Sequence, residues 1–220
     1  MSQEATTGTR KLILVPAVIT LAVTLLRLVG ELQGWSPALF NREAGGGGAL
    51  VGIAWLVPVF GAYFGWKLTR AGSGPGGLGR ALGLTLLALA LLPALGFLAS
   101  KAGIEPQGFT TFGIFVAGSI AAFFLGLRAW PALGRTLFSY GLAARIPVAL
   151  VMLAAILGNW GTHYDVSPPN FPEMSAVAKW FLIGLVPQLT IWIAYTVVVG
   201  ALFGIAAAAV ARRKPKPAAA

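Results

Sequence analysis

Polar and apolar positions in this chain fall into blocks: long uninterrupted hydrophobic runs separated by short polar loops. Six runs stand out, at 12–34, 49–68, 81–100, 109–127, 146–161 and 177–203. Most approach the ~20 residues with which a helix crosses a hydrocarbon core of ~30 Å. They lack the every-second-residue alternation of barrel strands, so the pattern predicts helices and not a β-barrel. The expected fold is all-α: a polytopic membrane protein with six transmembrane helices arranged as three hairpins. Its membrane domain would occupy 11–210, between an N-terminal tail at 1–10 and a basic, disordered tail at 211–220.

Composition agrees with that solvent. The 220 residues are 57% hydrophobic and 10% charged, where soluble domains carry about 25% charged residues. A soluble fold of this size could not hide so much apolar surface. The run near the N-terminus follows Arg10-Lys11 and could mimic a secretory signal. It is long, lacks a small-residue cleavage site and opens a series of spans, so it reads as the first membrane helix.

The net charge of +10 changes the picture only when it is mapped. Arg10 and Lys11 precede run one, and Lys67, Arg70 and Arg80 lie between runs two and three. Arg128, Arg135 and Arg145 lie between four and five; Arg212, Arg213, Lys214 and Lys216 follow six. Twelve of the 16 basic residues thus fall on one side. Most acids occupy the other loops: Glu31, Glu43, Glu105, Asp165 and Glu173. This is the positive-inside pattern, and it predicts both termini in the cytoplasm of a bacterial-type inner membrane. The charge is therefore a topology signal, and the expected partner is the lipid bilayer, with no nucleic acid.

The cytoplasmic loops differ from each other. Arg70–Arg80 is a glycine-rich linker. The stretch 131–145 mixes aromatic, aliphatic and basic residues, which suits an interfacial helix on the inner leaflet; alternatively helix five starts near Pro131 and is kinked at Pro147.

A short motif recurs in the three remaining loops. It reads Trp35-Ser36-Pro37-Ala38-Leu39-Phe40, Ile104-Glu105-Pro106-Gln107-Gly108-Phe109 and Val166-Ser167-Pro168-Pro169-Asn170-Phe171. Ser before Pro suits a helix cap followed by the first helical residue, and an apolar residue before the cap packs on the fourth helical one. The expectation is three helix-start staples, pairing Trp35 with Phe40, Ile104 with Phe109 and Val166 with Phe171. Pro172 would stop the third after one turn. Hairpins one and three share more: at an offset of 131, Pro16, Leu26 and Gly30 match Pro147, Leu157 and Gly161. Leu56-Val57-Pro58 then matches Leu185-Val186-Pro187, which suggests an internal repeat of the kind from which transporters are often built.

Candidate chemistry is sparse. Arg27 and Glu31 lie one helical turn apart at the outer end of run one, and an ionisable residue at membrane depth normally faces protein or a water-filled cavity. The plainer reading is a mutually neutralising pair. The densest polar stretch holds Asn159, the lone His163, Tyr164 and Asp165, where an imidazole with a nearby carboxylate could move protons. Its plainer reading is an interfacial loop anchored by Trp160 and Tyr164. One histidine and no cysteine predict no metal centre. No nucleophile elbow occurs, and the glycine-rich loop lacks the Gly-Lys-Ser/Thr of a phosphate cradle, so no cofactor is expected. Gly61-x-x-x-Gly65, Gly79-x-x-x-Gly83 and Gly200-x-x-x-Gly204 permit close helix packing.

Three functions fit. A permease-like transporter of a small solute or coupled ion predicts that Arg27, Glu31, His163 and Asp165 converge on an outward-facing cavity, with Pro58 and Pro187 bending helices around it. A non-catalytic subunit of a membrane complex, or a homo-oligomer, predicts a solid core. A lipid-acting membrane enzyme predicts His163 as its acid–base group. The sequence favours them in that order and leans away from an enzyme.

Overall fold

The computed structural model describes residues 2–44, 49–106, 108–168 and 171–213. Gly45–Gly48, the motif residues Gln107, Pro169 and Asn170, and the tail from Lys214 lie outside these. The described residues are helical, without a strand: α1 Ser2–Leu32, α2 Leu56–Arg70, α3 Leu78–Lys101, α4 Phe109–Ala129, α5 Pro131–Gly158, α6 Ala176–Lys179, α7 Val186–Leu189 and α8 Ile191–Arg213. A π-helical turn, Trp180–Leu185, joins α6 to α7. Helix starts at Ser2 and continues through Arg213, so it invades both segments expected as tails.

Among the described residues five stretches are long and apolar enough to cross a membrane: Arg10–Leu32, Leu78–Lys101, Phe109–Ala129, Pro131–Gly158 and Ala176–Arg212. Their outer faces are consistent with a lipid solvent; in α1, Leu14 is 60% and Val18 58% exposed. The expected second span is shorter. Of 49–68 only the part from Leu56 is helical, giving α2 15 residues, or ~22 Å at 1.5 Å per residue. Residues 50–55 run without regular structure. Proline disfavours helical backbone in the residue before it and is tolerated in the first turn, so Pro58 sits where α2 begins.

Helix five is one element from Pro131, and the separate interfacial helix at 131–145 does not form. The reason is burial: Leu133 and Leu137 are fully buried and Tyr140 nearly so, at the centre of the largest apolar cluster. Tyr140 packs edge-on against Phe60 and Phe64 of α2, each at 5.5 Å between ring centres.

Hairpin one does not close on itself. α2 runs along α8 and α1 lies against α5, while α3 and α4 pack as a hairpin. Two features redirect the first pair. Gly61 and Gly65 of α2 face Gly200 and Gly204 of α8 so closely that a methyl group on Gly61 or Gly65 would collide with the opposite backbone. Without side chains between them the backbones meet in direct contact, the gain that small-residue seams offer in lipid. Gly79 and Gly83 have open space instead and take no part in packing. For α1 the attraction is polar: Tyr140 donates to Thr20 at 2.7 Å, since the Thr20 hydroxyl proton is used on the Pro16 carbonyl. Of the helices matched by the sequence offset, α1 and α5 are neighbours in space; Leu185-Val186-Pro187, matched to the start of α2, falls in the π-helical turn and α7, whereas α2 packs on α8.

Candidate functional site

α1 is polar along one line. Thr20, Thr24, Arg27 and Glu31 recur at helical spacing and are all buried, with Glu31 at 0% exposure. Lipid-like residues cover the rest of the helix, so the polar stripe has to face protein. Each threonine donates its hydroxyl to the carbonyl four residues back, which removes one donor from the interior.

At the end of the stripe Arg27 and Glu31 together gather two loops. Arg27 Nε donates to Oε1 at 2.8 Å, the His163 backbone N–H donates to Oε2 at 2.8 Å, and His163 Nδ1–H donates to Oε1 at 2.5 Å. Arg27 Nη2 donates to the Asn41 carbonyl at 3.0 Å, and Arg42 donates to the Glu31 carbonyl. The carboxylate thus ties the loop after α5 to the end of α1, while Arg27 and the Glu31 backbone carbonyl hold the loop after α1 to the same end. With Nδ1 committed as donor, the neutral ring carries its lone pair on Nε2. Burial pushes the His163 imidazole below its ordinary value despite the attraction of Glu31. The Tyr164 phenol, buried beside it and donating to the Thr24 carbonyl at 3.3 Å, is pushed up by burial.

The other candidates do different work. Asp165 folds back on its own loop: it accepts from Thr162 N and Oγ1, both at 2.7 Å, and from Gly161 N at 2.9 Å. It makes no bond to the Glu31 cluster. Asn159 ends α5 in the left-handed conformation at φ 47°, exposed to the outside. So the structure joins Arg27, Glu31, His163 and Tyr164, and leaves Asn159 and Asp165 as loop-building residues.

The staple reading needs correction in the same loops. Ser36 accepts through its carbonyl from Leu39 and Phe40, closing one turn that stops there, and α2 begins only at Leu56. Trp35 does meet Phe40, at 5.2 Å, and Phe40 seats on Gly30. In the second copy α4 starts at Phe109 with Gly108 as cap, not at Pro106. After the third copy no helix starts until Ala176, where Ser175 supplies the cap. Pro172 and the prolines before it lack the N–H groups a helix would use. The motif's phenylalanines have another partner: Phe171 of the third copy packs on Phe109 of the second, at 5.6 Å, and edge-on against Phe112. The recurrent phenylalanines thus join distant segments, and in none of the three copies does the Ser/Glu-Pro pair cap a long helix.

Between these loops and the helices below lies a cavity of about 960 Å³. Its walls are mainly apolar, with Ile53, Phe112, Phe115, Val148 and Met152 among them. Arg27 and His163 reach it from the ion cluster, whereas Glu31 and Asp165 do not line it. Among the other polar side chains that do are two that the sequence reading did not single out as candidates: Arg145 of α5 and Gln188 of α7. Arg145 is only 4% exposed, at the middle of a membrane-length helix, and no carboxylate lies within ion-pair distance among the described residues. Its guanidinium stacks over Trp192, 4.5 Å from the ring centre, and its buried Nε has no hydrogen-bond acceptor. Gln188 Oε1 is likewise buried without a donor, while its amide nitrogen meets the Met152 sulfur at 3.7 Å. A desolvated cation–π contact is worth ~2 kcal/mol, against several for burying an ion.

The helix break beside Gln188 is local. Pro187 cannot donate to the residue four back, and the π-helical turn just before it absorbs the mismatch; Thr190 then leaves helical geometry at φ −117° and ψ −74°. Pro187 lines the cavity as the transport reading expected, but Pro58 belongs to the first turn of α2 and bends nothing. Among the described residues no three His, Cys, Asp or Glu side chains converge on one metal position. No family model matches the chain, and comparison with curated proteins and with solved structures gives no match either.

Proposed function

We propose that the chain is a permease-like membrane protein that moves a small solute, with six spans, both termini in the cytoplasm and a bacterial-type inner membrane as its home. The distribution of basic residues supports the orientation, and α2, seated along α8, serves as the sixth span. The observation that carries the reading is the cavity: about 960 Å³, at the upper end of sites for drug-sized ligands, reaching from the loops to mid-helix polar groups. Unwound backbone at residues 50–55 and the break before α8 both flank it, and irregular backbone at membrane depth is tolerated where it lines such a space. A purely accessory subunit would have no use for it.

A second reading, a lipid-acting enzyme, has the His163–Glu31 pair at the cavity edge in its favour, since Nε2 of an oriented imidazole can accept a proton. The permease reading is tested through Ala144, a buried residue of α5 next to Arg145 in sequence. The chain has no cysteine, so Ala144→Cys is a unique thiol. A carrier exposes it in turn to impermeant thiol reagents from each face of the membrane. Labelling from one face only, under every condition of solute and pH, would sink the carrier.

A further inference from the structure

We infer that the ligand of this cavity is an amphiphilic anion whose charged head is received by Arg145, with Gln188 beside it and its apolar chain along the aromatic and aliphatic walls. The inference rests on the cavity being the solute site of the proposed permease and names the chemical class it takes.

Charge accounting leads there. The chain has six acidic residues. Glu31 is consumed by Arg27 and His163, and Asp165 by its own loop. Glu43, Glu105 and Glu173 are exposed residues of the loops, and Glu4 lies in the first turns of α1, before its membrane-spanning part. Arg145 therefore has no carboxylate to meet, yet it is buried at mid-helix and cannot shed its proton. The Trp192 face supplies attraction to one side of the guanidinium plane and none to its edge, where the N–H donors point. The orphaned Nε lies on that edge. A carboxylate or phosphate oxygen is the acceptor such a fork matches. Gln188 contributes a second polar group to the same cavity, and it is the only other cavity-lining side chain among the described residues with a buried atom left unpaired. Walls dominated by Phe112, Phe115, Met152 and Ile183 would hold an alkyl or acyl chain, and they offer nothing to a strongly hydrated small anion.

The test uses the full chain in nanodiscs of phosphatidylcholine, with radiolabelled dodecanoate as the probe. Wild type is expected to bind it saturably, with acetate at least a hundredfold weaker as a competitor and dodecyltrimethylammonium not competing. Arg145→Met should weaken binding at least tenfold, Arg145→Lys less, and Gln188→Leu less again, with melting temperature reported for each to exclude unfolding. Two sources of the same chemistry are separated by adding phosphatidylglycerol to the disc: displacement of dodecanoate assigns the head to a bilayer lipid, and no displacement assigns it to a free amphiphile. Equal binding by the folded Arg145→Met protein would overturn the proposal, as would competition by the cation, or no saturable binding by wild type in either disc. Arg145-dependent binding with one-sided Ala144→Cys labelling would sink the carrier and keep the anion site; two-faced labelling with Arg145-independent binding would do the reverse.

Discussion

Arg27 and Arg145 are both arginines of membrane-length helices, 7% and 4% exposed, and they are held in opposite ways. Arg27 meets a carboxylate at 2.8 Å that is itself fully buried and shared with His163. Arg145 meets the face of an indole and no acid. The first arrangement is closed: charge, donors and acceptors balance inside the protein, and the result is a latch joining two loops to α1. The second is open, with a cation whose strongest interactions are left to something else. A buried ion that is paired reports on how the loops are fastened; a buried ion that is unpaired points to a ligand.

Removing the carboxylate attacks the closed region hardest. Glu31→Ala removes the buried carboxylate that accepts from Arg27 Nε, the His163 ring and the His163 N–H, and breaking a buried pair in this way costs ~3–5 kcal/mol. A drop of that size in thermal unfolding of the purified protein in detergent is expected, together with loosening of the loop after α5. An unchanged melting temperature would mean that the Glu31 cluster is not what fastens these loops.

The open region should respond in the other sense. Arg145→Met removes an uncompensated cation and leaves a side chain that fits among Val148, Met152 and Trp192. An unpaired buried ion carries a desolvation cost of several kcal/mol, so a hydrophobic residue of similar volume in its place is expected to be neutral or stabilising. The ligand-free variant should melt at or above the wild-type temperature. If it loses as much as Glu31→Ala does, the two arginines are alike after all and Arg145 is a structural residue.

The contrast also explains what could be read from the chain alone. All-helical, membrane-type character was legible because continuous apolar runs leave one solvent. Arg27, Glu31 and His163 were legible as candidates because charge is rare in such runs. Arg145 was not. It lies beside Pro147 at the edge of an apolar run, so it counted among the basic residues of a loop, whereas burial of Leu133, Leu137 and Tyr140 carries the helix back to Pro131 and puts Arg145 at its centre. The helical spacing of Thr20, Thr24, Arg27 and Glu31 was present in the sequence and would have marked the inward face of α1. The turn that Asp165 makes to Thr162, three residues back, is local, and Asp is a residue that bonds nearby backbone in this way. No local signal could have told that Phe171 crosses to Phe109, because that contact depends on how loops distant in sequence fold together.

The finest probe of the closed region is its histidine. Around the His163 ring stand Glu31 and Arg27 from α1 and Asp165 from its own loop; the two carboxylates favour protonation, Arg27 and burial oppose it, and the balance lowers the folded value. The unfolded chain titrates near the ordinary value of ~6.5, so between the folded value and that one it binds more protons than the folded chain. Stability from the neutral ring is therefore complete above pH ~6.5 and is lost as pH falls through the window below it, at ~1.4 kcal/mol per unit of displacement. Melting temperature should decline on acidification from pH 7 toward 5, and His163→Gln should flatten that slope while Arg145→Met leaves it intact. A slope shared equally by wild type and His163→Gln would assign the acid sensitivity elsewhere. A slope abolished by Arg145→Met would mean that the two regions, separate in their hydrogen bonds, are coupled through the cavity that both of them line.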